Sequence, residues 1–93
     1  MIESFADSRT KFVYEGNCPK GFATDIFKRS VVKLDQLNSA HSLDDLKIPP
    51  GNRLEALSGT RQGQHSIRIN NQWRICFYWN NGNPHKVEIT DYH

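Results

Sequence analysis

The fold is decided by the stretch QHSIRINNQWRICFYW, which occupies residues 64–79. Apolar residues take the odd positions in both of its halves, Gln64–Ile69 and Trp73–Trp79, whereas the even positions include Arg68 and Arg74. Alternation with a period of two is typical of β-strands that have one face in the core and the other towards solvent. The stretch therefore predicts two neighbouring strands, each with a semi-polar face.

The connection between these strands determines which residues face each other. A two-residue turn would place the apolar residues of one strand against the polar residues of the other, and we exclude that register. A three-residue connection, Asn70–Gln72, instead pairs Ile69 with Trp73 and Ile67 with Ile75. Because the apolar faces then coincide, we expect a hairpin with this register.

The same register places Arg68 directly opposite Arg74 on the semi-polar face. Like charges opposite each other are unfavourable unless an anion lies between or above them, and guanidinium groups bind phosphate oxygens well. We therefore predict a phosphate site at this pair. The alternative is a pair of splayed, hydrated arginines.

The final strand is expected to extend the sheet beyond the hairpin. Parity across the second connection, Asn80–Pro84, pairs Phe77 with Val87 and Ile75 with Ile89. This pairing keeps the apolar residues of all three strands on one face.

The chain end is then expected on the face or rim that carries the arginines. Arg74 would face Thr90 and Tyr92 would lie diagonally from Arg74 on the polar face, while Asp91 and His93 would lie at the rim of the same sheet. An imidazole, a phenol and fixed cations are groups that metal-free phosphodiester chemistry uses. We therefore expect a site of this kind, with no metal and no cofactor.

The remaining patterns predict an α+β protein. Apolar residues at i, i+4 and i+7 predict an amphipathic helix from about Lys20 to Leu37, and Ser42 with Asp45 predicts a second, short helix. Further strands are expected at Met1–Phe5, Arg53–Leu57 and His85–Thr90. We predict one domain, residues 1–93, of order β-α-α-β-β-β-β, with the helices packed on one face of a small, mainly antiparallel sheet.

Composition excludes several classes of protein. A chain of 93 residues with 37% hydrophobic and 24% charged residues is typical of one small globular domain rather than a disordered or fibrous protein. No apolar run approaches the length of a membrane span and no secretory signal is present, so we expect a cytoplasmic protein that does not contact a membrane. Cys18 and Cys76 are expected to be reduced thiols.

Positive charge is concentrated in the second half of the chain. Residues 1–46 carry six Lys or Arg and seven acids, whereas residues 47–93 carry six Lys or Arg and three acids. Between Arg53 and Arg74 the only acid is Glu55. The distribution suggests a polyanionic partner, but charge alone does not decide between such a partner and a solvated basic face.

Four motifs stand out in this second half, and they are Leu57-Ser58-Gly59-x-Arg61-x-Gly63, Ser66-Ile67-Arg68, Gln72-Trp73-Arg74-Ile75-Cys76-Phe77 and Asp91-Tyr92-His93. Together they resemble the HigB toxins, a family within the RelE/ParE superfamily. The stretch Asn52–Glu55 is similar to the GraT-like branch of that family. The resemblance covers nearly the whole chain and implies the RelE/ParE-like fold.

The resemblance also implies an activity and partners. HigB toxins are ribosome-dependent endoribonucleases that cleave messenger RNA and are neutralised by a helix-turn-helix antitoxin of the HigA type, through which alone contact with DNA is expected. Arg74, Asp91, Tyr92 and His93 match the family's catalytic arginine and terminal cluster. His93 is a candidate base or acid for metal-independent attack by a ribose 2′-hydroxyl, and Tyr92 is a candidate to donate a hydrogen bond or to stack on an RNA base.

Further residues are expected to contact RNA or phosphate, and they are Arg53, Glu55, Arg61, Arg68 and Gln72. Three positions depart from the family pattern. Glu55 and Ser58 stand where other HigB proteins have a histidine and a lysine, and Gln72 stands where they have an asparagine. Because part of the usual catalytic set is absent, we expect either slower cleavage or a base supplied by His93 or Glu55 instead.

Two other functions fit parts of the sequence. A ParE-like toxin shares the fold but binds a protein target such as gyrase without cleaving RNA. A simple nucleic-acid-binding module would use the arginines as a salt-sensitive contact surface. The terminal Tyr92-His93 pair favours the nuclease, because a protein that only binds needs no proton-transfer groups.

Overall fold

The computed structural model describes residues 1–91, which form two α-helices and a four-stranded antiparallel sheet whose strands lie side by side in chain order. The helices are α1, Ser8–Tyr14, and α2, Thr24–Ser39. The strands are β1, Glu55–Ala56, β2, Gln64–Arg68, β3, Trp73–Asn80, and β4, Asn83–Asp91. Short 3₁₀ turns flank β1 at Leu43–Lys47, Pro50–Asn52 and Gly59–Arg61.

The hairpin of β2 and β3 has the predicted register, with Arg68 opposite Arg74. Its three-residue connection is closed by Asn70. The side-chain oxygen of this residue accepts hydrogen bonds from the backbone N–H groups of Gln72 at 2.8 Å and of Trp73 at 2.7 Å. An asparagine side chain that satisfies nearby backbone donors stabilises a turn and so fixes the register of the strands on either side.

The connection between β3 and β4 is shorter than predicted. The expected loop from Asn80 to Pro84 is wrong, since Asn80 pairs with Asn83 and only Asn81 and Gly82 lie between the strands. These two residues have φ angles of 53° and 77°. Asn-Gly favours a type I′ turn, which needs positive φ at both central positions and matches the twist of the strands.

A β-bulge in β4 changes one predicted pair. Phe77 does not pair with Val87, because the register shifts between Cys76 and Tyr78. Cys76 pairs with Glu88 and Tyr78 pairs with His85, so β4 has two residues where β3 has one. One of these two residues, Lys86, has a φ of 51°. Both side chains of the predicted pair are nevertheless fully buried, and nearer the end of β4 the ladder keeps its predicted register.

The N-terminal segment forms one parallel bridge in place of the predicted strand Met1–Phe5. Phe5 bridges Val87, and shortly afterwards the carboxylate of Asp7 accepts a hydrogen bond from the backbone N–H of Thr10 at 2.8 Å. The backbone N–H of Glu3 donates to the carbonyl oxygen of Pro84 at 2.9 Å, so this segment contacts β4 at separate points, and the aspartate N-cap ends its extended backbone at Asp7. Helix α1 was not among the sequence predictions.

The two predicted helices are present with shifted bounds. The helix expected at Lys20–Leu37 is α2, which begins only at Thr24. The residues before Thr24 are not helical, since Gly21 has a φ of 84° and Ala23 is extended. The short helix expected after Ser42 is the 3₁₀ turn Leu43–Lys47.

The main core lies between the helices and the odd-numbered face of β2 and β3. Its fully buried members are Val13, Leu34, Leu37, Leu46, Ile67, Ile75, Phe77, Val87 and Ile89. The α+β class with helices on one face is confirmed, and the other face carries mainly polar side chains together with the buried Cys76. No helix in the described part of the chain has the length and apolar character that crossing a membrane requires.

Candidate functional site

Arg74 lies on the polar face of the sheet, and two protein acceptors hold its guanidinium group. Its Nε donates a hydrogen bond to Oγ of Ser66 at 2.7 Å, and its Nη2 donates to the carbonyl oxygen of Arg53 at 2.8 Å. The side chain is only 12% exposed. Its Nη1 donates no hydrogen bond to any of residues 1–91, so the group is fixed in place with donors left for an anion.

Glu55 is the acid beside this group. Its Oε1 lies 3.5 Å from Nη2 of Arg74, and its side chain is 51% exposed. The ion pair is long and open to water on the Glu55 side, so it holds the guanidinium less firmly than the two hydrogen bonds do.

The carbonyl that holds Arg74 comes from a residue with left-handed backbone. Arg53 follows the 3₁₀ turn Pro50–Asn52 and has a φ of 46°. A non-glycine residue in this region pays a steric cost of about 1–2 kcal/mol. The strand predicted at Arg53–Leu57 is reduced to Glu55–Ala56, because this conformation prevents an extended strand from starting at Arg53.

Three arginines open onto one cavity of about 260 Å³ on this face. Its lining consists of Arg53, Arg68, Asn70, Asn71 and Arg74, with no carboxylate among them. Three arginines around a small polar cavity favour an anion with several oxygens, because guanidinium groups bind such oxygens and their like charges repel one another.

The turn between β2 and β3 also fixes Arg68. Its Nε donates to the carbonyl oxygen of Asn70 at 3.0 Å, and its Nη2 donates to Oδ1 of Asn71. The turn that sets the strand register therefore also orients the second arginine of the cavity.

Gln72 and Asp91 form a separate pair. Nε2 of Gln72 donates to Oδ2 of Asp91 at 3.0 Å. Asp91 lies opposite Trp73, one position along from the residue that faces Arg74, and successive side chains of a strand point to opposite faces. Neither Gln72 nor Asp91 lines the arginine cavity.

Arg61 is outside the cavity as well. Its Nη1 lies 3.1 Å from Oε1 of Glu88 and 3.1 Å from Oε1 of Gln64. The structure thus brings together four of the predicted site residues, Arg53, Glu55, Arg68 and Arg74, and holds Arg61 in an ion pair elsewhere. Tyr92 and His93 lie outside the described residues.

Sequence reasoning missed three side chains that shape this site. Ser66 is fully buried and accepts from Arg74, while Asn70 and Asn71 line the cavity and accept from Arg68, Asn70 through its backbone carbonyl and Asn71 through its side chain. The strand alternation contained a signal for Ser66, because it shares the parity of both arginines. For the two asparagines, the sequence pattern predicts only a position in the turn.

Cys76 lies on the same face as Arg74 but offers no reactive group. Its side chain is fully buried, and burial raises the pKa of its thiol. Among residues 1–91 no three His, Cys, Asp or Glu side chains come together in a way that would hold a metal ion.

Solved structures with this arrangement of helices and sheet include two toxin–antitoxin complexes. The YoeB–YefM complex from Staphylococcus aureus superposes with a TM-score of 0.62 at 17% identity and covers 100% of this chain and 95% of that chain. A heterotetrameric YoeB–YefM toxin–antitoxin complex from the same organism gives a TM-score of 0.60 at 13% identity, covering 100% and 98%. The chain thus shares its fold with a chain of these complexes.

Sequence comparison specifies the family. A family model described as the RelE-like toxin of type II toxin–antitoxin system HigB matches residues 3–93, and the chain belongs to this family. It is 46% identical over 98 residues to Toxin HigB-1 of Vibrio cholerae serotype O1, covering 92% of this chain and 99% of that protein. It is also 29% identical over 93 residues to Endoribonuclease HigB of Proteus vulgaris, with 100% of both chains covered.

Proposed function

We propose that this chain is the toxin of a type II toxin–antitoxin pair and cleaves messenger RNA as a ribosome-dependent endoribonuclease. The observation that carries the proposal is the cavity in which Arg53, Arg68 and Arg74 meet, with no carboxylate side chain from residues 1–91 in its lining. Membership of the HigB family and full-length similarity to a protein named Endoribonuclease HigB support it.

The proposed reaction is attack by a ribose 2′-hydroxyl on the adjacent phosphorus, without a metal. A base removes the hydroxyl proton as the 2′-oxygen bonds to phosphorus, and the bond to the 5′-oxygen breaks as an acid protonates that oxygen. The products are a 2′,3′-cyclic phosphate and a 5′-hydroxyl. We assign the proton transfers to Tyr92 and His93 from the sequence alone.

The arginines supply the electrostatic part of this mechanism. Arg74 stabilises the charge that develops on the phosphate oxygens, while Arg68 and Arg53 hold the RNA backbone. Because Ser66 and the Arg53 carbonyl already fix the guanidinium of Arg74, little reorganisation is needed as that charge develops. We propose that Asp91, held by Gln72, orients a neighbouring proton-transfer group.

A protein partner is part of the same proposal. The family takes its description from type II toxin–antitoxin systems, and two solved structures that share the fold are toxin–antitoxin complexes. We propose an antitoxin of the helix-turn-helix HigA type, indirect contact with DNA through that antitoxin, and action in the cytoplasm, where messenger RNA is translated.

The gyrase-binding alternative is less well supported. An open cavity lined by three arginines and two asparagines suits a phosphate better than a protein surface. The relative named as an endoribonuclease points in the same direction.

Primer extension on messenger RNA from a translating extract tests the proposal. The wild-type chain should produce cuts that require ribosomes, and Arg74→Ala and His93→Gln should abolish them. Lys47→Ala is a matched control, since Lys47 makes an exposed ion pair with Asp44 at 3.0 Å, away from the cavity lining. Intact transcripts together with arrested replication would reject the nuclease and favour a gyrase-binding toxin.

A further inference from the structure

A second cavity, of about 350 Å³, adjoins the first. Its lining consists of Arg29, Lys33, Gly51, Arg68, Ile69 and Asn70, so the two cavities share Arg68 and Asn70. We infer that this second cavity binds the phosphate next to the one held by Arg74 on the same RNA strand. The inference rests on the proposed function and extends its site from one phosphate to two.

The charge of this cavity has no counterion in the described part of the chain. Arg29 and Lys33 stand four residues apart on α2 and therefore on one face of the helix. No acid lines the cavity, and neither side chain forms an ion pair with any of residues 1–91. Two like charges held together without a counterion are expected where an external anion binds.

A buried asparagine holds the side chain of Lys33 in place. Its Nζ donates to Oδ1 of Asn52, a fully buried residue whose Nδ2 in turn donates to the carbonyl oxygen of Leu46 and to Oε1 of Gln36, both at 3.1 Å. Burial, and then the neighbouring Arg29, lower the pKa of Lys33. The ammonium group is thus partly desolvated and held by a neutral partner, which leaves its charge for a ligand.

Arg68 provides the link between the two cavities. Its guanidinium is fixed by the turn residues Asn70 and Asn71, and it borders both cavities. Successive phosphates of a single RNA strand are separated by one nucleoside, and two adjoining cationic cavities with a shared wall suit such a pair. A protein ligand would have to supply two adjacent acidic groups to match them.

Gly51 allows the second cavity to be tested without disturbing the fold. A Cβ atom at this position would meet nothing within 4 Å, and the residue is not among the glycines with positive φ. Gly51→Glu therefore places a carboxylate at the lining with little strain. Arg29→Gln removes one exposed cation, and Lys28→Gln is its matched control, because Lys28 is an exposed neighbour on α2 that does not line the cavity.

The experiment measures binding of 2′-O-methyl RNA oligonucleotides, which cannot undergo 2′-hydroxyl attack, at several salt concentrations. We expect Arg29→Gln and Gly51→Glu to weaken binding of a hexanucleotide several-fold, and Arg29→Gln to reduce the salt slope by about 0.7, the value for one phosphate contact on a single strand. Binding of a dinucleotide, with its single phosphate, should change little. Lys28→Gln should match the wild type in both measurements.

Two results would overturn this second site. One is equal affinity of Arg29→Gln and Lys28→Gln for the hexanucleotide, and the other is an equal loss for the dinucleotide and the hexanucleotide. Failure of the proposed function is distinguishable, since it would show as unchanged RNA binding and cleavage in Arg74→Ala.

Discussion

The carboxylate of Glu55 lies 3.5 Å from Nη2 of Arg74, where it faces the same guanidinium group that we propose to bind RNA phosphate. A carboxylate and a phosphate at one arginine compete, because each neutralises the same charge. Glu55 is half exposed and Arg74 is nearly buried, so the carboxylate is the partner that can move away.

Glu55→Gln should therefore strengthen binding of a non-cleavable RNA. The substitution removes one negative charge and keeps the shape of the side chain, and the value of a partly exposed ion pair suggests a gain of about two- to five-fold. Fluorescence anisotropy at low and high salt checks this, and the gain should shrink as salt is added. Weaker binding would show that the Glu55 carboxylate contributes favourably to RNA binding. Tighter binding together with lost cleavage would instead identify Glu55 as a proton acceptor.

Arg74→Lys should abolish cleavage almost as completely as Arg74→Ala. A lysine carries all three of its N–H donors on one nitrogen, which does not reproduce the spaced, planar donors that let Arg74 contact Ser66 and the Arg53 carbonyl and still present Nη1 to a phosphate. Loss of one fixed donor at a developing oxyanion typically lowers the rate by about 10²–10³. Single-turnover cleavage on ribosomes measures the effect, with thermal melting as the control for folding. A lysine variant that retains more than a tenth of the rate would contradict the assignment.

A comparison of Arg53→Gly with Arg53→Ala should separate the effect of backbone strain on stability from the effect of the side-chain charge on RNA binding. Both variants lose the cation that lines the cavity, so both should bind RNA several-fold more weakly. Only glycine accepts the φ of 46° without steric cost, so the glycine variant should be more stable than the alanine variant by about 1 kcal/mol. Urea unfolding and RNA titration provide the two measurements. Equal stability of the two variants would rule out backbone strain at this position.

The two cysteines should react at very different rates with a thiol reagent such as Ellman's reagent. Cys18 is exposed, whereas Cys76 is fully buried and its thiol pKa is raised by that burial. Only thiolates attack the reagent, so native protein should release about one equivalent quickly and the second only on unfolding. Cys18→Ser should remove the fast phase. Two fast phases would mean that the polar face near Arg74 opens in solution.

Asp45 should make stability depend on acidic pH. Hydrogen bonds from the backbone N–H of His41 at 2.8 Å and of Ser42 at 3.2 Å lower the pKa of its carboxyl group in the folded chain. Its contribution is therefore present above the unfolded pKa of about 3.9 and disappears as pH falls through the lower folded value. Chemical denaturation from pH 6 downwards, compared between the wild type and Asp45→Asn, checks this. Parallel curves would contradict it.

Local sequence patterns predicted those features that depend on residues close together in the sequence, such as the β2–β3 hairpin. The alternation of Ile67, Ile75 and their neighbours was enough to predict the β2–β3 register, because a shift of one residue would bury the wrong face. The other hairpin was less predictable. The β3–β4 hairpin contains a bulge at Lys86, which depends on how the whole sheet twists and packs. No local residue pattern predicts it.

By itself, the sequence determined the family, the α+β class and the placement of Arg68 opposite Arg74, since all of these follow from motifs or from a period of two along the chain. Tertiary structure alone decided how Arg74 is held. Its contacts with the carbonyl of Arg53 and the carboxylate of Glu55 join residues about twenty positions apart. Such contacts depend on the path of the chain between those positions, and that path is set by packing of the whole core rather than by any local pattern.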